Sequence, residues 1–156
     1  MMTDETALSV ARELLNSFRK PPSVQYGGKR AYYIPQYDVI NMPEKRLLPD
    51  GIERTTMALH EYSHAVRSPM RLARFDENEP IANFNGNYTC EELIAELSTW
   101  MLANRIGLLR TDCDVSREYR KGWHDALRRN PLLAYNAANS ADEVVAYFLG
   151  GKERSG

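Results

Sequence analysis

Residues 60–64 read His60-Glu61-Tyr62-Ser63-His64, and this stretch decides how the whole chain is interpreted. Residues four apart lie on the same face of an α-helix, so His60 and His64 can present imidazole nitrogens to one ion. Glu61 follows the first histidine and can accept a proton from a water that the ion activates. Two of the three histidines of the chain fall in this motif. The spacing therefore predicts a metal centre suited to hydrolysis, with Zn²⁺ as the ion.

The alternative interpretation is a pair of helix-surface histidines beside a solvated glutamate. Residues 52–67 are predicted to be helical for an independent reason, because Asp50 and Glu53 form a variant of the capping box at their start. The motif can bind a metal only if it is helical, and it lies in a segment predicted to be helical on other grounds. This agreement favours the metal site over a pair of surface histidines.

A catalytic zinc normally has three protein ligands, so a third must come from elsewhere in the chain. Glu92 and Glu96 lie four apart on one face of a helix predicted over 89–106. One of these carboxylates can bind the metal while the other orients a histidine from behind. The spacing ranks Glu92 first and Glu96 second, although Thr89 to Glu92 also fits a capping box that would engage Glu92. The remaining candidates are Glu91, Cys90 and His124.

Apolar residues at helical spacing predict further helices, over residues 5–19, 89–106, 116–129 and 131–149. A Pro-Pro pair ends the first of them, and glycines suit the C-caps of the second and the last. Residues 68–88 contain two prolines and a polar run, so we expect a loop over the site there.

Three short β-favouring runs precede the motif helix, at residues 23–26, 31–34 and 39–42. Glycine and proline turns separate them, which predicts a small antiparallel meander. Strands cluster early and helices late, so the predicted class is α+β rather than alternating α/β. We expect the sheet near the N-terminus to pack with the motif helix and three further helices.

Composition and charge exclude several classes of protein. The 156 residues suit a single domain, expected over 1–150 with a disordered tail at 151–156. The 20 Lys and Arg balance 21 Asp and Glu, so no global field attracts nucleic acid or an anionic membrane. No run approaches the roughly 20 apolar residues of a membrane span, and the N-terminus lacks a signal-peptide pattern. Two cysteines, Cys90 and Cys113, fit the reducing cytoplasm.

Four blocks of sequence resemble one known domain in order. They are AYYIPQYDVINMP at 31–43, HEYSHAVRSPMRLAR at 60–74, EELIAEL at 91–97 and ALRRNPLLAYNAANSADEVVAYFLG at 126–150. The chain resembles the zincin-like metallopeptidase domain of ArdC-type antirestriction proteins, which also occurs in phage polyvalent proteins. The likeness covers about residues 30–150, and several blocks in order are more specific than the histidine motif alone.

The resemblance implies an α+β zincin fold, a zinc ion and a third ligand from the helix over 89–106. In related zincin-like families the ligand glutamate precedes an alanine by three residues, as Glu92 precedes Ala95. Glu96 then stands four residues further on, where gluzincins place an acidic residue that supports the metal ligands. The resemblance therefore implies Glu92 as the ligand and Glu96 as its supporting partner.

Two departures from the family pattern limit what is carried over. Full-length members have an N-terminal domain that binds single-stranded DNA, whereas about thirty residues precede the resemblance here, so DNA binding is not implied. After the histidine motif the family often has a Thr-Gly-His run, and this chain has Val66-Arg67-Ser68. No substrate contact is therefore inferred for that region.

The leading hypothesis is a zinc-dependent peptidase-like hydrolase of a mobile genetic element or phage. His60, His64 and Glu92 would hold Zn²⁺, and Glu61 would act as the general base. The substrate would be a protein or peptide, and the strand at 31–34 offers it an edge. The competing hypothesis is a non-catalytic antirestriction or binding protein whose zinc is structural or vestigial.

A third hypothesis, nucleic-acid binding without catalysis, depends on arginines that recur at helical spacing. The neutral net charge argues against it, and such arginines usually form a solvated face. The sequence does not determine the oligomeric state. The arginines are Arg67, Arg71, Arg74, Arg128 and Arg129.

Overall fold

The computed structural model describes residues 4–48, 51–72, 90–108, 121, 124–125 and 128–150. In the described residues one helix precedes the strands and the other α-helices follow them, which confirms the predicted α+β class. Among the described residues, no helix is both long and apolar enough to cross a membrane. In chain order the elements are α1 (Asp4–Asn16), β1 (Ser23–Tyr26), β2 (Tyr32–Ile34), β3 (Val39–Met42), a short 3-10 helix (Lys45–Leu47), α2 (Gly51–Ala65), α3 (Cys90–Arg105) and α4 (Pro131–Phe148).

The strands lie where the sequence predicts them, but the predicted antiparallel meander is wrong. The sheet order is β1-β3-β2, with β2 antiparallel to β3 and β1 parallel to it. The buried Asn41 of β3 explains this order, because its side-chain amide donates to the carbonyls of Gly27 and Arg30. These bonds attach the segment that connects β1 to β2 to the central strand β3. The chain therefore crosses from one side of β3 to the other before it forms β2. Strand periodicity carries no information about such a crossing.

Two predicted helices are shorter than expected, for local reasons. The first ends at Asn16 rather than 19, and Lys20, which precedes a proline, adopts a φ of 51°. The motif helix ends at Ala65 rather than 67. Beyond it, the Arg67 N–H donates to the carbonyl of His64 at 3.2 Å. This bond joins residues three apart, as in a 3-10 turn, and the α-helical pattern ends here.

Several predictions concern residues outside the described ranges. They include most of the loop over 68–88, the tail 151–156 and the side chains of Thr89, Cys90 and Cys113. Most of the helix predicted over 116–129 is also outside, although its described residues are helical.

The core lies where α3 packs on both α2 and α4, and α1 packs on α2. Phe18, just after α1, contacts three other rings, with centroids 5.0 Å from Tyr62 and 5.2 Å from Tyr147 and Phe148. These edge-on and tilted ring contacts fix the end of α1 against α2 and α4. The fully buried side chains of the helices include Leu59, Leu102 and Val144.

Arg71 joins three parts of the chain through a side chain that is fully buried. Its guanidinium forms a bidentate ion pair with Asp38, with both N–O distances at 2.8 Å. It also donates to the backbone carbonyls of Lys20 and Ala65. Tyr33 donates its hydroxyl to the same Asp38 at 2.7 Å. Arg71 therefore links the segment after α1, the start of β3 and the end of α2.

The prediction of a solvated arginine face is wrong for Arg71 and for Arg67, which are both buried. Their charges are engaged inside the fold and are not available on the surface. Arg128 and Arg129 are exposed, and Arg74 lies outside the described residues.

We predict that Asp38→Asn destabilises the fold in a pH-dependent way. The hydrogen bonds from Arg71 hold the pKa of Asp38 below its usual value. Its charge therefore stabilises the fold above the unfolded-state pKa of about 4, and this is lost as the pH falls through the lower folded-state pKa. Urea unfolding at pH 7 should give a loss of about 1.5 to 3 kcal/mol, which shrinks as the pH falls through the lowered folded-state pKa of Asp38.

The matched control is Asp142→Asn, because Asp142 is exposed on α4. It should leave the free energy of unfolding nearly unchanged at both pH values. A loss in Asp38→Asn that is the same at acid and neutral pH would contradict the proposed role of the ion pair.

Candidate metal centre

The three side chains ranked first by the sequence meet where α2 crosses the start of α3. His60 Nε2 lies 3.0 Å from Glu92 Oε1, and His64 Nε2 lies 3.0 Å from Glu92 Oε2. The two Nε2 atoms are 3.2 Å apart. The side chains of His60 and His64 are 18% and 13% exposed, whereas that of Glu92 is 42% exposed. The cluster is thus enclosed by the histidines and more open beside the glutamate.

This arrangement fits a divalent cation better than it fits a hydrogen-bond network. The Nε2 atoms of the two histidines and the carboxylate oxygens of Glu92 lie close enough together to bind one ion. An ion bound at ~2.0 to 2.1 Å with tetrahedral geometry separates its ligand atoms by roughly 3.3 Å. The observed separations of 3.0 to 3.2 Å are close to that value. Among the described residues, His60, His64 and Glu92 form the group that could hold a metal ion.

The carboxylates produce a strongly negative environment at this cluster. Burial lowers the pKa of His64, but hydrogen bonds to Glu91 and Glu92 outweigh it and raise the pKa to about 10. Burial raises the pKa of Glu92, and the hydrogen bonds to both histidines reverse this, so the net shift is downward. A site with this affinity for positive charge favours a cation as well as protons.

Glu61 lies beside the cluster and is only 6% exposed. Burial raises its pKa, the two histidines lower it, and Glu92 raises it, with a net upward shift. A carboxylate with a raised pKa is a better proton acceptor near neutral pH than an ordinary surface glutamate. The position and environment of Glu61 therefore suit a general base.

A cavity of about 170 Å³ opens beside Glu61, His64 and Glu92. Its opposite wall is formed by β2 and the residues that flank it: Ala31, Tyr32, Tyr33 and Pro35. The cavity thus places candidate catalytic groups across from a strand.

One contact at the cluster was not anticipated from the sequence. Glu91, which we considered only as a metal ligand, lies 3.5 Å from the second ring nitrogen of His64, Nδ1. Arg67 lies 4.0 Å from the other oxygen of Glu91. The sequence offered one signal for this contact, the adjacent pair Glu91-Glu92 at a helix start. Neighbouring residues of a helix point in different directions, and here the two carboxylates lie by different nitrogens of the His64 ring.

The other candidates occupy different positions. His124 is exposed, and Glu96 is half-buried on α3 outside the group of converging ligand atoms. The role of Glu96 behind a histidine stays a prediction, while the carboxylate beside His64 Nδ1 is Glu91. Glu92 contacts both histidines, which is the position that the sequence ranked first.

Comparison with known proteins identifies the family. The sequence model of the zincin-like metallopeptidase family MPTase-PolyVal matches residues 13–140. The chain belongs to this family. The zincin-like fold predicted from the sequence is thereby confirmed, and the family indicates a divalent metal.

The chain spans only a small part of the length of the curated relatives that it matches. The DNA primase TraC of Escherichia coli is 31% identical over 125 residues, which cover 80% of this chain and 11% of TraC. An uncharacterized protein, y4eC, of Sinorhizobium fredii (strain NBRC 101917 / NGR234) is 29% identical over 126 residues, or 80% of this chain and 40% of y4eC. The chain therefore corresponds to one part of each relative.

Two solved structures share the fold. The Mn(II)-bound structure of the antirestriction protein ArdC from plasmid R388 has a TM-score of 0.63 and 25% identity. It covers 96% of this chain, which spans 52% of ArdC. The metal-free ArdC structure gives a TM-score of 0.62 and 27% identity. The predicted resemblance to the ArdC-type domain is therefore confirmed.

We predict that a divalent cation stabilises the wild-type chain and not the His64→Ala variant. A ligand that binds only the folded state adds about 2.7 kcal/mol at a hundred times its Kd. Thermal unfolding with added Zn²⁺ and with a chelator should give a large difference for wild type and almost none for His64→Ala. His124→Ala is the matched control, because His124 is exposed and away from the cluster. A response to metal that survives in His64→Ala would refute this ligand assignment.

Proposed function

We propose that this domain is a zinc-dependent, peptidase-like hydrolase. In this proposal His60, His64 and Glu92 hold Zn²⁺, and Glu61 is the general base. The observation that carries it is the convergence of two imidazole Nε2 atoms and one carboxylate within 3.2 Å, with a buried glutamate beside them. Two histidines and one glutamate form a ligand set of known catalytic zinc sites, which favours Zn²⁺ over other divalent ions.

The protein side of the reaction rests on Glu61 and on the shape of the cavity. When bound, the metal supplies Lewis-acid activation of a water molecule and of a substrate carbonyl. Glu61 accepts the proton of the attacking water on its carboxylate and then donates it to the leaving amine. Burial of Glu61 supports this role because its raised pKa brings acceptance and donation closer in energy.

The proposed substrate is an extended peptide that lies along β2. Within the described residues β2 pairs with β3 on one side only, so its other edge offers unpaired backbone groups. Tyr32 and Tyr33 of this strand also line the cavity beside Glu61 and His64. A peptide added to this edge would form backbone hydrogen bonds and bring its carbonyl next to the metal cluster.

Similarity to ArdC favours a second candidate function. ArdC is an antirestriction protein, and a non-catalytic role in antirestriction would use the same metal cluster as a structural clip. In either case we propose a protein of a mobile genetic element or phage that acts in the cytoplasm. TraC carries the name of a DNA primase, so contact with DNA or with DNA-bound proteins belongs to this second candidate.

We predict that Glu61→Gln separates the two functions. The neutral amide has the same size and leaves the three ligands in place, so metal affinity and thermal stability should hardly change. It cannot accept the proton of the water, so metal-dependent cleavage of a mixture of quenched-fluorescence peptides should fall by about 10² to 10⁴-fold.

The control is Glu53→Gln, because Glu53 lies in the first turn of the same helix and is exposed. It should retain wild-type cleavage. Full antirestriction activity in Glu61→Gln, with no metal-dependent cleavage in wild type, would reject the hydrolase and support the structural role of the metal.

A further inference from the structure

Behind His64, on the side away from Glu92, lies a pair of buried charges that the proposed reaction does not use. Glu91 Oε1 is 3.5 Å from His64 Nδ1, and Glu91 Oε2 is 4.0 Å from a terminal nitrogen of Arg67. The side chains of Glu91 and Arg67 are 10% and 8% exposed. The contacts therefore run in a line from Arg67 through Glu91 to His64.

We propose that Glu91 and Arg67 are positioning residues for the metal ligand His64. The inference rests on the metal site proposed above. Glu91 accepts the Nδ1 proton of His64 and so fixes the tautomer whose Nε2 lone pair faces the metal. Arg67 provides the countercharge of Glu91 and holds its carboxylate in this orientation, because a buried carboxylate without a countercharge is costly.

The local backbone explains how the three side chains meet. Arg67 follows His64 by three residues, and its backbone N–H donates to the carbonyl of His64 at 3.2 Å, so both side chains lie on one side of the turn. Glu91 and Glu92 are neighbours in the first turn of α3. Glu92 lies by Nε2 of His64 and Glu91 lies by Nδ1, so each nitrogen of the His64 ring contacts a carboxylate of α3.

Charge balance gives an independent reason for an arginine at this position. Glu61, Glu91 and Glu92 bring three carboxylates into one cavity. With neutral histidines, a divalent cation and the guanidinium of Arg67 together supply three positive charges. Arg67 thus neutralises the carboxylate that does not face the metal and leaves the other two to the cation. Without Arg67 the bound cluster would retain an uncompensated buried charge, which low-polarity surroundings penalise.

The first test is the Zn²⁺ affinity of the full chain, measured by competition with a chromophoric chelator. Glu91→Gln and Arg67→Met should each weaken binding by about 10 to 100-fold, the usual effect of removing a residue that supports a metal ligand. Arg67→Lys keeps the positive charge and should recover most of the loss. Exposed residues provide matched controls, since Glu53→Gln and Arg12→Met should bind as wild type does.

The double variant Arg67→Met with Glu91→Gln guards against misfolding, because it leaves neither charge buried alone. If the two residues act through one line of contacts, the double variant should lose no more Zn²⁺ affinity than whichever single variant binds Zn²⁺ more weakly. Losses that multiply would show independent effects and would overturn the proposal.

A second measurement reports on His64 itself. In the Zn²⁺-loaded wild type, the Nδ1 proton of His64 should give a downfield ¹H resonance that exchanges slowly with water, because Glu91 accepts it. This signal should broaden or vanish in Glu91→Gln and persist in Glu53→Gln. A chain that binds no divalent cation would refute the proposed metal site. Wild-type binding together with unchanged affinity and an unchanged Nδ1 signal in both Glu91→Gln and Arg67→Met would refute only this inference.

Discussion

The packing of α3 across α2 is the constraint on which the site depends. The candidate ligands come from two helices, and each one borders the core: His60 follows the fully buried Leu59, and Glu92 precedes the buried Leu93. Close packing of these neighbours leaves little freedom to the side chains beside them. The hydrophobic contact between the helices thus fixes the distances between the two Nε2 atoms and the carboxylate. A metal site requires such distances to be held to within about 0.5 Å.

A second set of contacts connects α2 to the wall of the cavity. Tyr33 lines the cavity and donates its hydroxyl to Asp38, which pairs with Arg71. Arg71 in turn donates to the carbonyl of Ala65, the residue after His64. A strand of three residues has little stability of its own, so these polar contacts supply order that backbone pairing alone would not. They explain how a small sheet can present a defined edge beside the metal cluster.

The sequence predicted the features that depend on local spacing. The helical motif, the three strand positions and the first-ranked Glu92 follow from periods of 3.6 and 2 and from the family resemblance. The parallel pairing of β1 with β3 was missed because it depends on Asn41, whose amide bonds the connection after β1. The buried position of Arg71 and the contact of Glu91 with His64 were missed for a related reason. The contacts of Arg71 with Asp38 and of Glu91 with His64 join residues that are distant in sequence, and no local pattern encodes such contacts.

The exposure of the cluster bears on the choice between a catalytic and a structural metal. Structural zinc sites are closed by four protein ligands, whereas catalytic sites have three and keep a position open. Among the described residues three ligand atoms converge, and Glu92 is the most exposed of the three side chains, on the side of the cavity. Glu61 faces the same cavity although a buried carboxylate is costly in a site that only holds a metal. Hydrolysis needs a proton acceptor beside the metal and a structural clip does not, so the position of Glu61 on this cavity supports the hydrolase.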